Sequence, residues 1–237
     1  MMLTMRESMT TSGVQSNRPG EFFKKLSVAA LRDLESMEFP TLYQPGMQLF
    51  SEKCTPAGIF IVVSGEVKLS INSSDGKRLI LSIAKAGEVL GLSSALSGLP
   101  SEMTAEVLYP ARIAVIDRDQ FIAYMGRHPE VYQVVTQELS LQYKVACEQL
   151  RTVALSGSAP EKLARLLLDW SENGQKTEAG TRVRFSLTHE EIGEFIGASR
   201  ETVTRTLSSF KSRRLVAFHG SILTIPSKGA LQTLAGM

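Results

Sequence analysis

The sequence predicts an α+β fold, in which a domain of short antiparallel strands is joined by one long helix to a smaller domain of short helices. Between residues 37 and 117, short apolar runs recur and are separated by Gly, Pro, Asn and Asp. After Pro129 the chain continues to Leu155 without Gly or Pro, which is typical of a single helix. Residues 187–211 then carry two short helical patterns with a Gly between them.

These patterns divide the 237 residues into five segments. We predict a disordered leader at 1–20, a strand-rich domain with flanking helices at 21–128, and a long helix at 129–155. A hinge at 156–159 then leads to a helical domain at 160–237. Composition is that of an ordinary soluble protein, with 43% hydrophobic and 21% charged residues.

The strand-rich domain has the pattern of a jelly roll, a sandwich of many short strands that closes on itself. A helix is expected over 22–37, and Asp117 is expected to cap a short helix that follows the last strand. Turns are expected at 45–46, 64–65, 75–76 and 85–87. The predicted strands are 49–50, 59–63, 67–71, 79–83, 89–90 and 113–116.

The long helix, about 40 Å at 1.5 Å per residue, carries two apolar stripes. One stripe can pack on the strand domain, and a twin helix from a second subunit is the simplest partner for the other. The alternative is a central helix buried within one chain. The residues predicted for the subunit interface are Val131, Val134, Leu141 and Val145.

The segment 187–207 has the layout of a helix-turn-helix. Thr188 and Glu191 form a capping-box pattern, Gly197 interrupts the helical pattern, and Ser199 suits the N-cap of a second helix over 200–211. Such a second helix enters the DNA major groove, where Arg pairs with guanine and Glu with cytosine. The residues predicted to read bases are Arg200, Glu201, Thr204 and Arg205.

Other polar side chains around this motif suit phosphate contacts, which fix register on DNA. They are Thr188, His189, Ser199, Thr202, Ser208, Lys211 and Arg213. Alone, Glu201 and Arg205 would be read as a surface pair on one helix face. The DNA interpretation is favoured by a predicted wing, with strands at 215–218 and 222–225, and by the basic charge from Pro160 onward, 11 Lys and Arg against 8 Asp and Glu.

The run GASRETVTRTL resembles the recognition helix of bacterial Crp/Fnr transcription regulators, the family of the cyclic-AMP receptor protein. The run IFIVVSGEVKLSI resembles the signature of the cyclic-nucleotide-binding jelly roll. The resemblance implies a homodimeric DNA-binding regulator that reads a palindromic, TGTGA-type site and activates by contacting RNA polymerase; repression by occlusion fits equally. The alternatives are a ligand-binding module and a DNA-binding protein that needs no effector.

The family's effector pocket maps onto the segment 89–104. Cyclic-AMP binders are implied to use a Glu for the ribose and an Arg for the phosphate. Leu92 stands at the first place and Glu102–Met103 at the second, so we predict that cyclic AMP is not the effector. The predicted pocket residues are Val89, Leu90, Gly91, Leu92, Ser93, Ser101, Glu102, Met103 and Thr104.

Other cofactors are disfavoured by the same comparison. Cys54 and Cys147 are too few for the four-cysteine iron–sulfur cluster of some family members, and His128, His189 and His219 lie outside the strand region 37–117 where haem would bind, which leaves Cys54 there without a partner ligand. We predict no metal site, no catalytic residues and no enzymatic activity. The absence of a membrane-length apolar run and of a disulfide framework predicts a cytoplasmic protein.

Overall fold

The computed structural model describes residues 20–155, 157–172, 174–185 and 187–236. The predicted leader, apart from Gly20, and the hinge residue Ser156 lie outside the described residues. Two domains are joined by a long helix, and the predicted α+β class is confirmed.

The chain begins with two short helices, α1 (Glu21–Lys24) and α2 (Val28–Ser36), and the single helix predicted over 22–37 is wrong. The first helix ends at Lys24, and Ser27 caps the second helix, because its Oγ accepts a hydrogen bond from the Ala30 N–H. The apolar residues that suggested one helix still share a core, since Phe22, Phe23 and Leu34 are all buried.

The N-terminal domain is built on an antiparallel sheet in the order β1–β6–β3–β4, with β2 paired to β6 and β5 paired to β3. The short helix α3 (Leu92–Ser97) follows β5. The strands are β1 (Thr41–Tyr43), β2 (Gln48–Phe50), β3 (Gly58–Asn72), β4 (Arg78–Lys85), β5 (Val89–Leu90) and β6 (Thr104–Asp117).

Two strands are much longer than predicted. The turn expected at residues 64–65 is instead a register shift within β3, which continues through Ser64 and Gly65 along β6. Gly65 has a φ of +88°, and a Cβ there would lie 2.5 Å from the Ala111 Cα, so this bulge needs glycine. Strand β6 starts nine residues before the predicted 113, and β1 was not predicted at all.

Two helices follow the last strand of the N-terminal domain, and the second of them leads to the C-terminal domain. As predicted, Asp117 caps α4 (Arg118–Arg127), accepting hydrogen bonds from the N–H groups of Asp119 and Gln120. The long helix α5 (Glu130–Leu155) has 26 residues and agrees closely with the predicted one. Its first turns enter the core of the N-terminal domain, where Val131 and Val135 are buried.

The C-terminal domain begins with α6 (Ala159–Trp170), capped by Ser158. A four-stranded sheet in the order β7–β8–β10–β9 carries the helix-turn-helix between β8 and β9. The sequence pattern predicts a strand at 183–187, whereas β8 ends at Arg184, and β7 was not predicted. The remaining elements are β7 (Gln175–Thr177), β8 (Gly180–Arg184), α7 (His189–Ile196), α8 (Arg200–Ser212), β9 (Ala217–His219), β10 (Ile222–Ile225) and α9 (Lys228–Leu234).

The two domains contact each other where α7 packs on β4. Ile80 of β4 is fully buried in the core cluster of the C-terminal domain. Nearby, the buried Lys68 ammonium lies 3.2 Å from Glu106 and 3.3 Å from Glu191. Gln149 of α5 donates to the carbonyl oxygens of Ile80 at 2.8 Å and Phe195 at 2.7 Å, and so bonds both domains.

Candidate DNA-binding surface and effector pocket

The helix-turn-helix forms through local chemistry that the sequence displays. Thr188 and Glu191 make the predicted capping box: the Thr188 Oγ1 accepts from the Glu191 N–H at 3.1 Å, and Glu191 Oε2 accepts from the Thr188 N–H at 3.0 Å. Gly197 ends α7 in the left-handed conformation, and Ser199 caps α8 by accepting from the Thr202 N–H. The turn therefore fixes the direction in which α8 leaves.

The four residues predicted to read bases, Arg200, Glu201, Thr204 and Arg205, are all exposed on α8. Val203, Leu207 and Phe210 lie on its opposite side and are buried in the domain core. The amphipathic helix therefore holds its polar N-terminal half outward, as a major-groove helix must.

Hydrogen bonds within the helix-turn-helix orient part of this polar face. The Thr204 hydroxyl donates to the Arg200 carbonyl oxygen at 2.9 Å and lies 2.8 Å from His189 Nδ1. Arg205 does not turn to Glu201; its guanidinium donates to the Thr202 hydroxyl at 3.3 Å. Thr204 and Thr202 are thus held by neighbours, while most of the Arg205 fork stays available to a ligand.

The charge on Glu201 is secured by the start of the helix. A hydrogen bond from its own backbone N–H, and then one from Ser199, hold the pKa of this carboxyl below its usual range. Glu201 is therefore an ionised acceptor at neutral pH, as pairing with a cytosine amino group requires.

The residues predicted to contact the DNA backbone surround this face. Thr188, Ser199, Ser208, Lys211 and Arg213 are exposed, whereas His189 and Thr202 are half-buried. The Lys211 ammonium lies 4.9 Å from the centre of the Phe218 ring on β9, so the end of α8 rests on the wing. The wing itself is the predicted hairpin, with β9 and β10 paired across His219 and Ile222.

A second candidate site is a cavity of about 420 Å³ between the sheet, α3 and α5, here called the effector pocket. Its wall is mostly apolar, and Phe50, Leu69 and Leu81 represent the part that the sheet supplies. Four carboxylate side chains border it, from Glu21, Glu88, Glu102 and Glu138. Among the described residues that line it, none is Lys, Arg or His.

Seven of the nine predicted pocket residues line the cavity: Leu90, Gly91, Leu92, Ser93, Ser101, Glu102 and Met103. The prediction was wrong for the other two. Val89 is fully buried in the domain core, because successive side chains of a strand point to opposite faces. Thr104 instead accepts a hydrogen bond from the Glu52 N–H on another part of the surface.

Sequence reasoning missed the pocket residues that come from distant parts of the chain. Glu138, Leu141, Gln142 and Val145 reach the cavity from α5, and Gln142 Nε2 donates to the Val89 carbonyl oxygen at 3.1 Å. The only signal for them in the sequence is that polar residues interrupt the apolar pattern of α5. That pattern does not show which cavity these residues face.

Both domains match known families at the positions that this geometry indicates. Residues 40–151 match the family model for the cyclic nucleotide-binding domain, and residues 161–234 match the model for the Crp-like helix-turn-helix domain. The two matches follow each other in the order that the fold displays, and between them leave only the end of α5 and the start of α6. The chain belongs to the Crp/Fnr family.

Relatives of this Crp/Fnr protein are transcription regulators. A "CRP-like cAMP-activated global transcriptional regulator" of Mycobacterium tuberculosis is 27% identical over 201 residues, covering 84% of this chain and 88% of that protein. A "Global nitrogen regulator" of Synechococcus elongatus is 25% identical over 205 residues, covering 84% and 92%. The chain is thus a DNA-binding transcription regulator of the Crp/Fnr type.

Solved structures support the fold of this Crp/Fnr regulator independently. The structure of FixK2 from Bradyrhizobium japonicum superposes with a TM-score of 0.73 at 22% identity, covering 83% of this chain and 96% of that one. Within the described residues, no helix has both the length and the apolar character needed to cross a membrane.

The dimer-interface prediction for this Crp/Fnr regulator requires a correction. Val131 and Val134 are 0% and 6% exposed within the N-terminal domain of their own chain, so no second subunit can reach them. Leu141 and Val145 are exposed and also border the effector pocket, so for these two residues the interface assignment stays a prediction. The exposed apolar residues Tyr143 and Leu150, which are 73% and 57% exposed, belong to the other stripe, whose first member Val135 is itself buried in the domain core.

Proposed function

We propose that this protein is a cytoplasmic homodimer that inserts α8 into the major groove of a palindromic DNA site. Arg200, Glu201 and Arg205 would read bases there, and the N-terminal domain would modulate binding. The observation that carries the proposal is the exposed polar face at the start of α8, which the capping box and the Gly197 turn hold outward. Contact with RNA polymerase is implied by the family and belongs to this proposal.

The subunit contact proposed here uses a second stripe of α5, of which Tyr132, Tyr143 and Leu150 are exposed, while Leu139 also packs on the domain core and Ala146 also lines the effector pocket. Tyr132, Leu139, Tyr143, Ala146, Leu150 and Val153 follow one another at intervals of seven, four, three, four and three residues. This is the spacing of a coiled-coil seam, which a second copy of the same helix would cover. Two α8 helices related by a two-fold axis would then match the symmetry of a palindromic site.

The base-reading role can be tested by selecting preferred sites from random duplex DNA and comparing two variants. Arg205→Ala should cost about 1–3 kcal/mol on the selected site and relax discrimination at one base pair, because a bidentate base contact is lost. Lys211→Ala is the control: it should weaken selected and random DNA alike, as loss of a phosphate contact does.

Two outcomes would contradict this assignment. If Arg205→Ala lost equal affinity for selected and random DNA, the residue would be a phosphate contact. If the purified protein selected no site at all, the alternative of a ligand-binding module would gain. Selection by the protein without any added ligand agrees with the proposal, whereas binding to the selected site that no pocket ligand alters would favour the remaining alternative, a regulator that needs no effector.

Cyclic AMP is not the proposed effector. A cyclic phosphate in the pocket would face Glu102 and would meet no Lys, Arg or His from the described lining residues, while Leu92 offers the ribose no acceptor. Relatives do not fix the effector, since one is named for cAMP and a structure at 18% identity is titled a c-di-GMP responsive regulator. Calorimetric titration with cyclic AMP should give no saturable heat at micromolar concentrations.

A further inference from the structure

The effector pocket combines an apolar wall with a rim whose charged side chains, among the described lining residues, are all carboxylates, one of which, Glu21, is paired with the Lys24 ammonium at 2.6 Å. Phe50, Leu81 and Met103 belong to the wall, and Glu88, Glu102 and Glu138 to the rim. The cavity of about 420 Å³ lies within the range of pockets that enclose drug-sized organic molecules. The pocket therefore combines room for an apolar body with a negative potential at its mouth.

The rim carboxylates are only partly satisfied by the protein. Glu88 accepts one hydrogen bond, from the Lys85 N–H at 3.0 Å, and Glu102 accepts one from the Ser93 hydroxyl at 3.2 Å. Glu138 accepts one from Gln142 at 3.3 Å. A carboxylate has about four acceptor positions, so each of these groups keeps capacity for a further donor.

Electrostatics link two carboxylates of the pocket, that of Glu88 in the turn between β4 and β5 and that of Glu138 on α5. Burial of the Glu88 carboxyl group raises its pKa, a hydrogen bond from the Lys85 N–H opposes this rise, and the charge of Glu138 raises the pKa further. The charge of Lys85, the smallest of these effects, lowers it, but Lys85 does not line the pocket, so the pair has no Lys, Arg or His beside it among the described lining residues. A cation placed between the two carboxylates would supply a positive charge, whereas an anion would add a third like charge.

We propose that the effector is an amphipathic organic cation, an apolar body bearing a protonated amine, whose ammonium group binds at Glu88 and Glu138. The inference rests on the proposed role of the N-terminal domain as the effector domain, and it names the class of ligand. Because Glu138, Gln142 and Val145 are on α5, the bound cation would contact the helix that we assign to the subunit interface. Binding of a ligand in the pocket would thereby change the contacts of that helix.

Three probes of nearly equal size separate charge from apolar contact: the ammonium ion of phenethylamine, neutral phenethyl alcohol and anionic phenylacetate. Calorimetry on the full chain near neutral pH should rank the amine first, by on the order of tenfold over the alcohol, with phenylacetate weakest. The advantage of the amine should shrink at high salt, because the rim is accessible to solvent.

Two variants on one helix provide the matched comparison. Glu138→Gln keeps the size and the hydrogen-bonding shape of the side chain but removes its charge, and it should abolish most of the advantage of the amine over the alcohol. Glu148→Gln, on the same helix but outside the pocket, should leave it unchanged. Methyl NMR should show shifts at Met103, which lines the pocket, and not at Met125, which is buried in the domain core.

The inference is overturned if the amine fails to bind up to millimolar concentrations, if alcohol and amine bind equally, or if phenylacetate or cyclic AMP binds more tightly than the amine. DNA selection on the same protein without any probe reports separately on the proposed function. A protein that selects DNA but ignores the amine would refute the ligand class alone. One that binds the amine but no DNA would refute the regulator proposal.

Discussion

Gly193 lies where α7 passes closest to the turn that leads into α8. A Cβ at this position would lie 2.5 Å from the carbonyl oxygen of Ala198, a backbone atom that cannot rotate away. The same turn is closed by Gly193 itself, whose carbonyl oxygen accepts from the N–H groups of Gly197 and Ala198. The absence of a side chain therefore sets the separation of the two DNA-binding helices.

We expect Gly193→Ala to destabilise the C-terminal domain by about 1–3 kcal/mol, because the clash outweighs the better helix propensity of Ala. Trp170, the only tryptophan, packs edge-on against Phe195 of α7 and reports unfolding in urea by its fluorescence. Gly229→Ala is the control, since its Cβ would meet nothing closer than 3.9 Å; it should leave the midpoint unchanged or raise it. A midpoint for Gly193→Ala at or above that of the native protein would contradict the argument.

The contact between α7 and β4 joins the DNA-binding motif to the N-terminal domain through charged side chains. Glu191 uses one oxygen for the capping box and the other for the buried Lys68, so the start of α7 is tied to strand β3. Glu194, about one turn further along α7, has a buried oxygen with no hydrogen-bond partner among the residues that the structure describes. The interface is therefore stabilised by an ion pair at Glu191, whereas the buried carboxyl group of Glu194 is electrostatically unfavourable.

Burial raises the pKa of Glu194 above its usual 4.5, against the lowering effect of Arg78 and Lys68, while Glu190 and Glu191 raise it further. The folded state thus binds a proton more readily than the unfolded chain. Stability is therefore lost as pH rises from 4.5 through the raised pKa, and the loss persists at neutral pH.

Glu194→Gln should consequently raise the urea midpoint at neutral pH, because it removes a desolvated charge, and should have little effect below pH 4.5. Trp170 fluorescence again provides the measurement. Glu178→Gln, an exposed change between β7 and β8, should alter neither midpoint. If the benefit of Glu194→Gln were equal at both pH values, the titration of this carboxyl would not be its cause.

The whole molecule is organised around α5, which faces three partners along its length. Its first turns are core residues of the N-terminal domain, its middle borders the effector pocket, and Gln149 near its end bonds both domains. The stripe that begins at Tyr132 remains for a second subunit. A change in the pocket, the dimer or the DNA-binding domain is therefore a change in contacts of the same helix.

We expect the native protein to sediment as a dimer, and the double variant Tyr143→Glu with Leu150→Glu as a monomer, because charge would be buried in the helix seam. Leu141→Glu is the control on the same helix. Leu141 precedes Tyr143 by two residues, which places it about 200° around the helix axis from Tyr143. The change therefore lies away from the seam and should leave the dimer intact. Monomers from Leu141→Glu but not from the double variant would restore the original assignment.

The sequence by itself determined the features that depend on neighbours in the chain. The capping box of Thr188 and Glu191, the caps at Asp117 and Ser199, and the polar face of α8 all follow from side chains within four residues of the backbone groups they serve. The family resemblance rested on the same local runs. The family, the fold class and the helix-turn-helix were predictable for this reason.

Tertiary structure decided the features that depend on which distant segments meet. Both stripes of α5 are apolar, so only packing against the strand domain shows that Val131 and Val134 face inward and Tyr143 faces outward. Strands β3 and β6 continue through bulges because they pair with each other, which local turn signals cannot reveal. The pocket brings Glu88 and Glu138 together across 50 residues of sequence, and its negative rim exists only after the chain has folded.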